Sequence, residues 1–234
     1  MCSRGYKRLF KVDLGRTDYL QAWELQKKLV ALRRQSRAPD MLLITEHEPV
    51  ITMGRGTDRS NLLATEEQLK RKGVRLYEIE RGGDITFHGP GQTVLYPIVD
   101  LTCRGKDLHK YLRDLENWLI ASLREMGLRA GTKNGLTGVW VDDCKVAAIG
   151  VAVSRWVTYH GAALNVNTDL DYFRLINPCG ITAYPVGSLR KLLAREIDMG
   201  EVNEVLSQNF ASMFYYEMEQ FNDIKSILLE EIKV

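Results

Sequence analysis

The chain has 234 residues, 45% of them hydrophobic and 26% charged, with a formal net charge of +2. That is an ordinary globular composition, long enough for one large domain spanning 1–234 with a full core and no disulfide or metal staples. The near-neutral charge argues against nucleic-acid binding, and the absence of any apolar run of about 18 residues argues against a membrane span.

Lys7 to Val12 reads as a short strand. Tyr19, Leu20, Trp23, Leu25, Leu29 and Leu32 recur at helical spacing, so residues 17–36 read as an amphipathic helix closed by Pro39. Met41 to Ile44 and Val50 to Met53 read as strands. Thr65 and Gln68 form a capping-box pattern before a short helix ending at Gly73, and Arg75 to Ile79 reads as a strand. Between Asp84 and Val99 a tight His88-Gly89-Pro90-Gly91 loop separates two strands. A long helix follows from Leu108 to Met126, ended by Gly127. Val139 to Val141, Lys145 to Val153 and Val157 to Val166 read as an antiparallel run, with Asp142-Asp143 at a turn. Helical periodicity then runs from Val202 to Met218 and again to Ile232. Interleaved helices and hairpin-rich strands predict an α+β fold with a mixed sheet, not a doubly wound parallel one.

The cysteines Cys2, Cys103, Cys144 and Cys179 form no C-x-x-C pair and no zinc-finger spacing, so reduced thiols are expected. Neither a P-loop nor a dinucleotide fingerprint is present. Glycine and reactive residues do sit together in four places, the stretches beginning at Arg81, Lys145, His160 and Asn177. Each has a bland reading. Glycine pairs are commonly turns. A lone cysteine such as Cys179 is commonly a small buried hydrophobe. His88 and His160 can be hydrogen-bonded structural histidines. Lys145 can be a strand-end lysine in solvent, and alternation groups it with Ala147, Ile149 and Val151. The functional reading makes Cys179 a nucleophile, which needs a neighbour that favours its thiolate. Lys145, His88 and His160 are the candidates. The histidine spacing gives no metal site.

Taken together, the motifs resemble the lipoyl(octanoyl) transferase family (LipB), the octanoyl-[acyl-carrier-protein]:protein N-octanoyltransferases. Arg81-Gly82-Gly83-Asp84-Ile85-Thr86-Phe87-His88-Gly89-Pro90-Gly91-Gln92 with Leu95-Tyr96-Pro97 is similar to that family's signature loop. Gly138-Val139-Trp140-Val141 leading to Lys145 and Ala148-Ile149-Gly150 resembles its lysine strand. Trp156 to Asn167 resembles the next strand, and Ile176 to Ile181 its cysteine segment. The resemblance implies the fold of lipoate and biotin protein ligases and a two-step octanoyl transfer. Cys179 would carry the thioester and Lys145 would lower its pKa. Arg81 to His88, Ala148, Ile149, Gly150, Gly161, Ala162 and Ala163 would line the substrate site, with His160 in support. No cofactor or metal is implied. The donor would be octanoyl acyl-carrier protein. The acceptors would be lipoyl domains of 2-oxoacid dehydrogenase E2 subunits and the glycine cleavage H protein. The enzyme would be a monomer in the cytoplasm, or in the mitochondrion of a eukaryote. Lys27, Lys28, Arg33, Arg34 and Arg37 on the first helix could meet an acidic carrier. Two positions depart from the family pattern: Phe87 stands where tyrosine is commoner, and Ala162 stands where a larger Phe or Leu is expected, a change that would reshape the acyl pocket. The alternatives are an ATP-dependent lipoate–protein ligase, which has no use for Cys179, and a non-catalytic module that grips carrier or lipoyl domains.

Overall fold

The structure is a computed structural model that describes residues 7–180 and 184–224, apart from the side chain of Cys179. In chain order it contains β1 (Lys7–Thr17), α1 (Tyr19–Arg34), β2 (Asp40–His47), β3 (Val50–Met53), α2 (Glu66–Arg71), β4 (Arg75–Glu78), β5 (Ile85–His88) and β6 (Gln92–Ile98). Then come α3 (Leu108–Glu125), β7 (Ala130–Lys133), β8 (Leu136–Val141), β9 (Cys144–Ser154), β10 (Val157–Asn165), α4 (Leu189–Leu193), α5 (Met199–Met213) and β11 (Tyr216–Gln220).

The helices begin where side chains can take up their first free N–H groups. Asp18 accepts from Leu20 and Gln21 ahead of α1, and Asp107 accepts from Lys110 ahead of α3. Thr65 and Gln68 complete both halves of the expected capping box on α2.

Among the described residues the strands form an eight-stranded mixed sheet in the order β11-β1-β2-β6-β10-β9-β8-β7, and a three-stranded sheet β4-β3-β5. β1 runs parallel to β2 and β11, and β2-β6-β10-β9-β8-β7 is antiparallel throughout. This bears out the α+β expectation. α3 and α5 cover one face of the large sheet around Trp118, Leu119 and Phe210, and Trp118 Nε1 donates to Leu206 O at 2.7 Å. α1 covers part of the other face through Ala22, Leu29 and Val30.

Three expectations are corrected. Tyr216–Gln220 is an edge strand paired with β1, not helix, and the expected helix toward Ile232 lies outside the described residues. The expected strand at Lys7 to Val12 continues to Thr17, with a register shift between Asp13 and Arg16. Cys103 is disulfide-bonded, whereas Cys144 is a free thiol.

Candidate active site

The signature loop is held from both sides. Arg81 is buried, and its Nη2 donates to Thr52 O (2.7 Å) and Oγ1 (3.0 Å) of β3. Gly82 N donates to Val151 O of β9 at 2.9 Å, and Gly56 N to Gly83 O at 3.1 Å. The backbones meet closely here: a Cβ on Gly150 would lie 2.9 Å from Arg81 Cδ and 3.0 Å from Gly82 O. Along β5 the side chains alternate. Ile85 and Phe87 join a core cluster in which Phe87 stacks on Tyr172 at 4.8 Å, while Thr86 and His88 face a cleft. The phenyl of Phe87 is thus outside the cleft.

That cleft consists of two adjoining cavities that share Thr86, Ala148 and Ala163. Arg81, Gly83, Asp84 and His88 border the first cavity, with Ile149 and Gly150 of β9 and His160, Gly161 and Ala162 of β10. Tyr19, Val94 and Tyr96 complete it. Of these three, only Tyr96 carried a sequence signal, inside the Leu95-Tyr96-Pro97 stretch. Gly161 is required by packing, because a Cβ there would fall 2.2 Å from Leu95 O.

Two buried histidines, His88 and His160, line the first cavity, and a third, His47, stands behind its Tyr96 wall. His47 Nε2 lies 2.7 Å from Tyr96 OH. His88 Nδ1 lies 2.7 Å from Gln92 Oε1, while Gln92 Nε2 donates to Phe87 O and Asn165 Oδ1. Gln92 Oε1 can only accept, so neutral His88 carries its proton on Nδ1 and leaves Nε2 as an acceptor. Burial lowers the His47 pKa to about 4. Burial, reinforced by His47, lowers His88 to about 3. His160 is lowered to about 3 by burial and then by Arg81, although Glu80 Oε2 stands 3.8 Å from its Nε2 and pulls the other way. Its backbone sits at φ +55° and donates to Gln26 Oε1 at 2.7 Å.

The second cavity contains Lys145, Gln92, Asn165 and Pro178. Simple alternation would place Lys145 on the face of Ala147, which packs into the α3–α5 core. A bulge prevents this. Val139 pairs with Ala147 but the next residue, Trp140, pairs with Lys145, so Val146 is the extra residue. Lys145 therefore shares a face with Trp140, is 7% exposed, and has Nζ 5.3 Å from the Trp140 ring centroid. Its backbone is clamped to the segment after the cysteine loop, with N donating to Pro185 O and O accepting from Gly187 N, both 2.9 Å.

Pro178–Gly180 forms a 3-10 turn that carries Cys179. Asn177 N donates to Asn61 O at 2.7 Å, and Asn61 Nδ2 donates to Asp84 Oδ2 at 2.6 Å. Asn61 thereby ties the cysteine turn to the signature loop, a link no motif announced. The structure brings Lys145 and Pro178, the neighbour of Cys179, to one cavity, and leaves His160 in the other. Among the described residues no group of His, Cys, Asp or Glu is arranged to hold a metal ion, and no helix is long and apolar enough to cross a membrane.

The sequence profile of the lipoyl protein ligase A/B catalytic domain matches residues 18–211. The chain is 44% identical to the octanoyltransferase of Desulforamulus reducens over 219 residues, covering 93% of this chain and 96% of that one. It is 50% identical to the octanoyltransferase of Solibacter usitatus over 206 residues, covering 88% and 93%. Among solved structures it is similar to a bipartite lipoate protein ligase of Thermoplasma acidophilum, with a TM-score of 0.69, 18% identity and coverage of 98% and 92%. It is also similar to the biotin protein ligase of Aquifex aeolicus, with a TM-score of 0.52, 13% identity and coverage of 89% and 69%. At these identities the two structures speak to the fold alone.

Proposed function

The chain belongs to the lipoyl protein ligase A/B catalytic-domain family and is an acyltransferase that moves octanoyl groups in protein lipoylation, and from that premise we propose that Cys179 carries the octanoyl group as a thioester while Lys145 manages its protons. An acyl donor and lipoyl-domain acceptors follow from the family. The finer reading takes octanoyl acyl-carrier protein as donor. As acceptors it takes the lipoyl domains of 2-oxoacid dehydrogenase E2 subunits and the glycine cleavage H protein. It places a monomer of one domain, 1–234, in the cytoplasm.

The observation that carries this reading is the shared cavity of Lys145 and Pro178. In the first step the Cys179 thiolate attacks the donor's thioester carbonyl. The carrier's thiol leaves and takes a proton, and the acyl group stays on sulfur. In the second step the acceptor's lysine amine attacks that thioester, loses a proton as the amide forms, and frees Cys179. Splitting one transfer into two lowers each barrier. A lysine beside the sulfur favours the thiolate as an ammonium, gives a proton to the leaving thiol and recovers one from the incoming amine. The acyl chain would extend along Ala148, Ala163, Gly150 and Gly161 into the first cavity. Asn165 to Gly161 spans four strand steps, about 13 Å. An extended octanoyl chain of seven C–C bonds reaches about 9 Å, so it fits this run.

Intact-mass measurement after mixing with octanoyl acyl-carrier protein tests the reading. One octanoyl adduct is expected, absent in Cys179→Ala and slow to form in Lys145→Ala. An adduct that persists in Cys179→Ala would falsify it. Pyrophosphate release from ATP with free lipoate would point instead to ligase chemistry.

A further inference from the structure

The bulge that turns Lys145 toward the cleft faces an unusual residue on the neighbouring strand. Gly138 is buried and sits at φ +134°, where residues with a side chain are strained. A Cβ on Gly138 would lie 2.7 Å from Lys145 Cε, 3.4 Å from its Nζ and 2.7 Å from Ala147 O. The end of the Lys145 side chain therefore occupies space that any other residue at 138 would fill. On the other side of that space stands the Trp140 ring.

The pairing is irregular on both sides of β8. The register shifts between Gly131 and Lys133 toward β7, and between Val139 and Trp140 toward β9. The buried N–H of Gly138 goes instead to Oε1 of Glu116 on α3, 3.0 Å away. An unpaired buried N–H is costly, so this carboxylate stabilises the one backbone conformation that leaves room for the lysine.

We infer that Gly138 and Glu116 are positioning residues for Lys145: Glu116 fixes the Gly138 peptide, and the missing side chain of Gly138 forms the groove that aims Nζ into the cleft. Neither borders the two cavities of the cleft. Both act through the lysine.

The inference rests on the reading of Cys179 and Lys145 above, and the test separates the two. Wild type, Lys145→Ala, Gly138→Ala, Glu116→Ala and Glu116→Gln are compared in melting temperature and single-turnover octanoylation. The third measurement is the iodoacetamide alkylation rate of Cys179 from about pH 5 to 10. Lys145→Ala is expected to move the alkylation profile to higher pH. An unmoved profile overturns the reading of Lys145 and this inference with it. Given that shift, Gly138→Ala is expected to reproduce it and to slow octanoylation about 100-fold, and Glu116→Ala to slow it about tenfold. Glu116→Gln keeps a carbonyl oxygen for the Gly138 N–H and should stay within about twofold of wild type. Lower melting temperatures with wild-type alkylation profiles and rates would overturn the positioning role. So would a Glu116→Gln variant as impaired as Glu116→Ala. If Gly138→Ala does not fold, the two Glu116 variants decide.

Discussion

Ala162 and Ala163 are consecutive, equally buried at 4% exposure, and face opposite ways. Ala162 pairs with Leu95 and Ile149 and joins the core under α3 and α5, bordering the first cavity but not the second. Ala163 pairs with Val94 and Ala148, packs on the α1 side, and lines both cavities. The departure noted at Ala162 therefore bears mainly on core packing, and Ala163 is the better lever on chain length. Filling the cleft with Ala163→Leu removes room for about three methylenes, and a single methylene can be worth about 10-fold or more in discrimination. Octanoyl transfer should fall by about 1,000-fold on that scale, while transfer of butanoyl from the same carrier is largely spared. Ala162→Leu should instead overpack the core at a cost of about 1–3 kcal/mol and lower the melting temperature, with little change in the octanoyl-to-butanoyl ratio. Equal ratios in the two variants would remove the assignment of faces.

The first helix combines apolar burial with a basic surface, and the structure sorts its cations by what they already hold. Arg33 Nε contacts Asp40 Oδ1 at 2.6 Å and its Nη2 reaches Asp100 at 3.5 Å, so it ties the helix to the sheet. Lys27 sits 3.9 Å over the Trp23 ring, and Arg34 donates to Ser154 at 3.3 Å. Lys28 is exposed on α1, while Arg37 lies beyond the helix end at Arg34, exposed and donating to Gln35 Oε1 at 3.5 Å. If α1 and the turn after it steer an acidic carrier, Lys28→Glu with Arg37→Glu should lower kcat/KM for octanoyl-carrier at low salt by about tenfold. The effect should fade as salt rises. A small octanoyl thioester should be unaffected, and equal losses for both substrates would remove the docking role. Such periodic elements were legible in the sequence: α1, α3, the capping box on α2, and the strands around Lys145. Two were not. The Asn134-Gly135 turn between β7 and β8 is a strong hairpin signal, but Ala130–Lys133 offers no apolar alternation to accompany it. Tyr216–Gln220 carries two glutamates and a methionine, good helix formers, yet pairing with the edge of β1 overrides that preference. The residues that border the two cavities were legible where Gly, His and Lys cluster. The bulge at Val146 was not, since two-residue periodicity has no term for an inserted residue, and so the face of Lys145 was misread.

At the scale of the whole molecule, neutral histidines buried at the cleft and behind it tie folding stability to acidity. His47 and His88 stay unprotonated in the native protein down to about pH 4 and about pH 3 respectively. In the unfolded chain both take up a proton near the ordinary value of 6.5. Below 6.5 the unfolded state therefore binds more protons, and stability falls as pH falls. The sign is that of a lowered base: the contribution is complete above 6.5 and shrinks through the window down to 4 for His47 and 3 for His88. Each histidine loses about 1.4 kcal/mol per pH unit in that window, or about 2.8 kcal/mol per unit together. His160 contributes less, because Glu80 Oε2 at 3.8 Å from its Nε2 favours the protonated ring. Against a total stability of about 5–15 kcal/mol, a drop of two pH units should remove a large share of it. Urea unfolding at pH 7.5, 6, 5 and 4.5 (about the span of that window) should show unfolding free energy falling at a slope near two protons. Replacing His47 with Asn should reduce the slope by about one proton below pH 6, whatever it does to stability at neutral pH. An unchanged slope would mean that His47 is protonated in the native cleft, and that its 2.7 Å contact with Tyr96 OH then has His47 Nε2 as the donor.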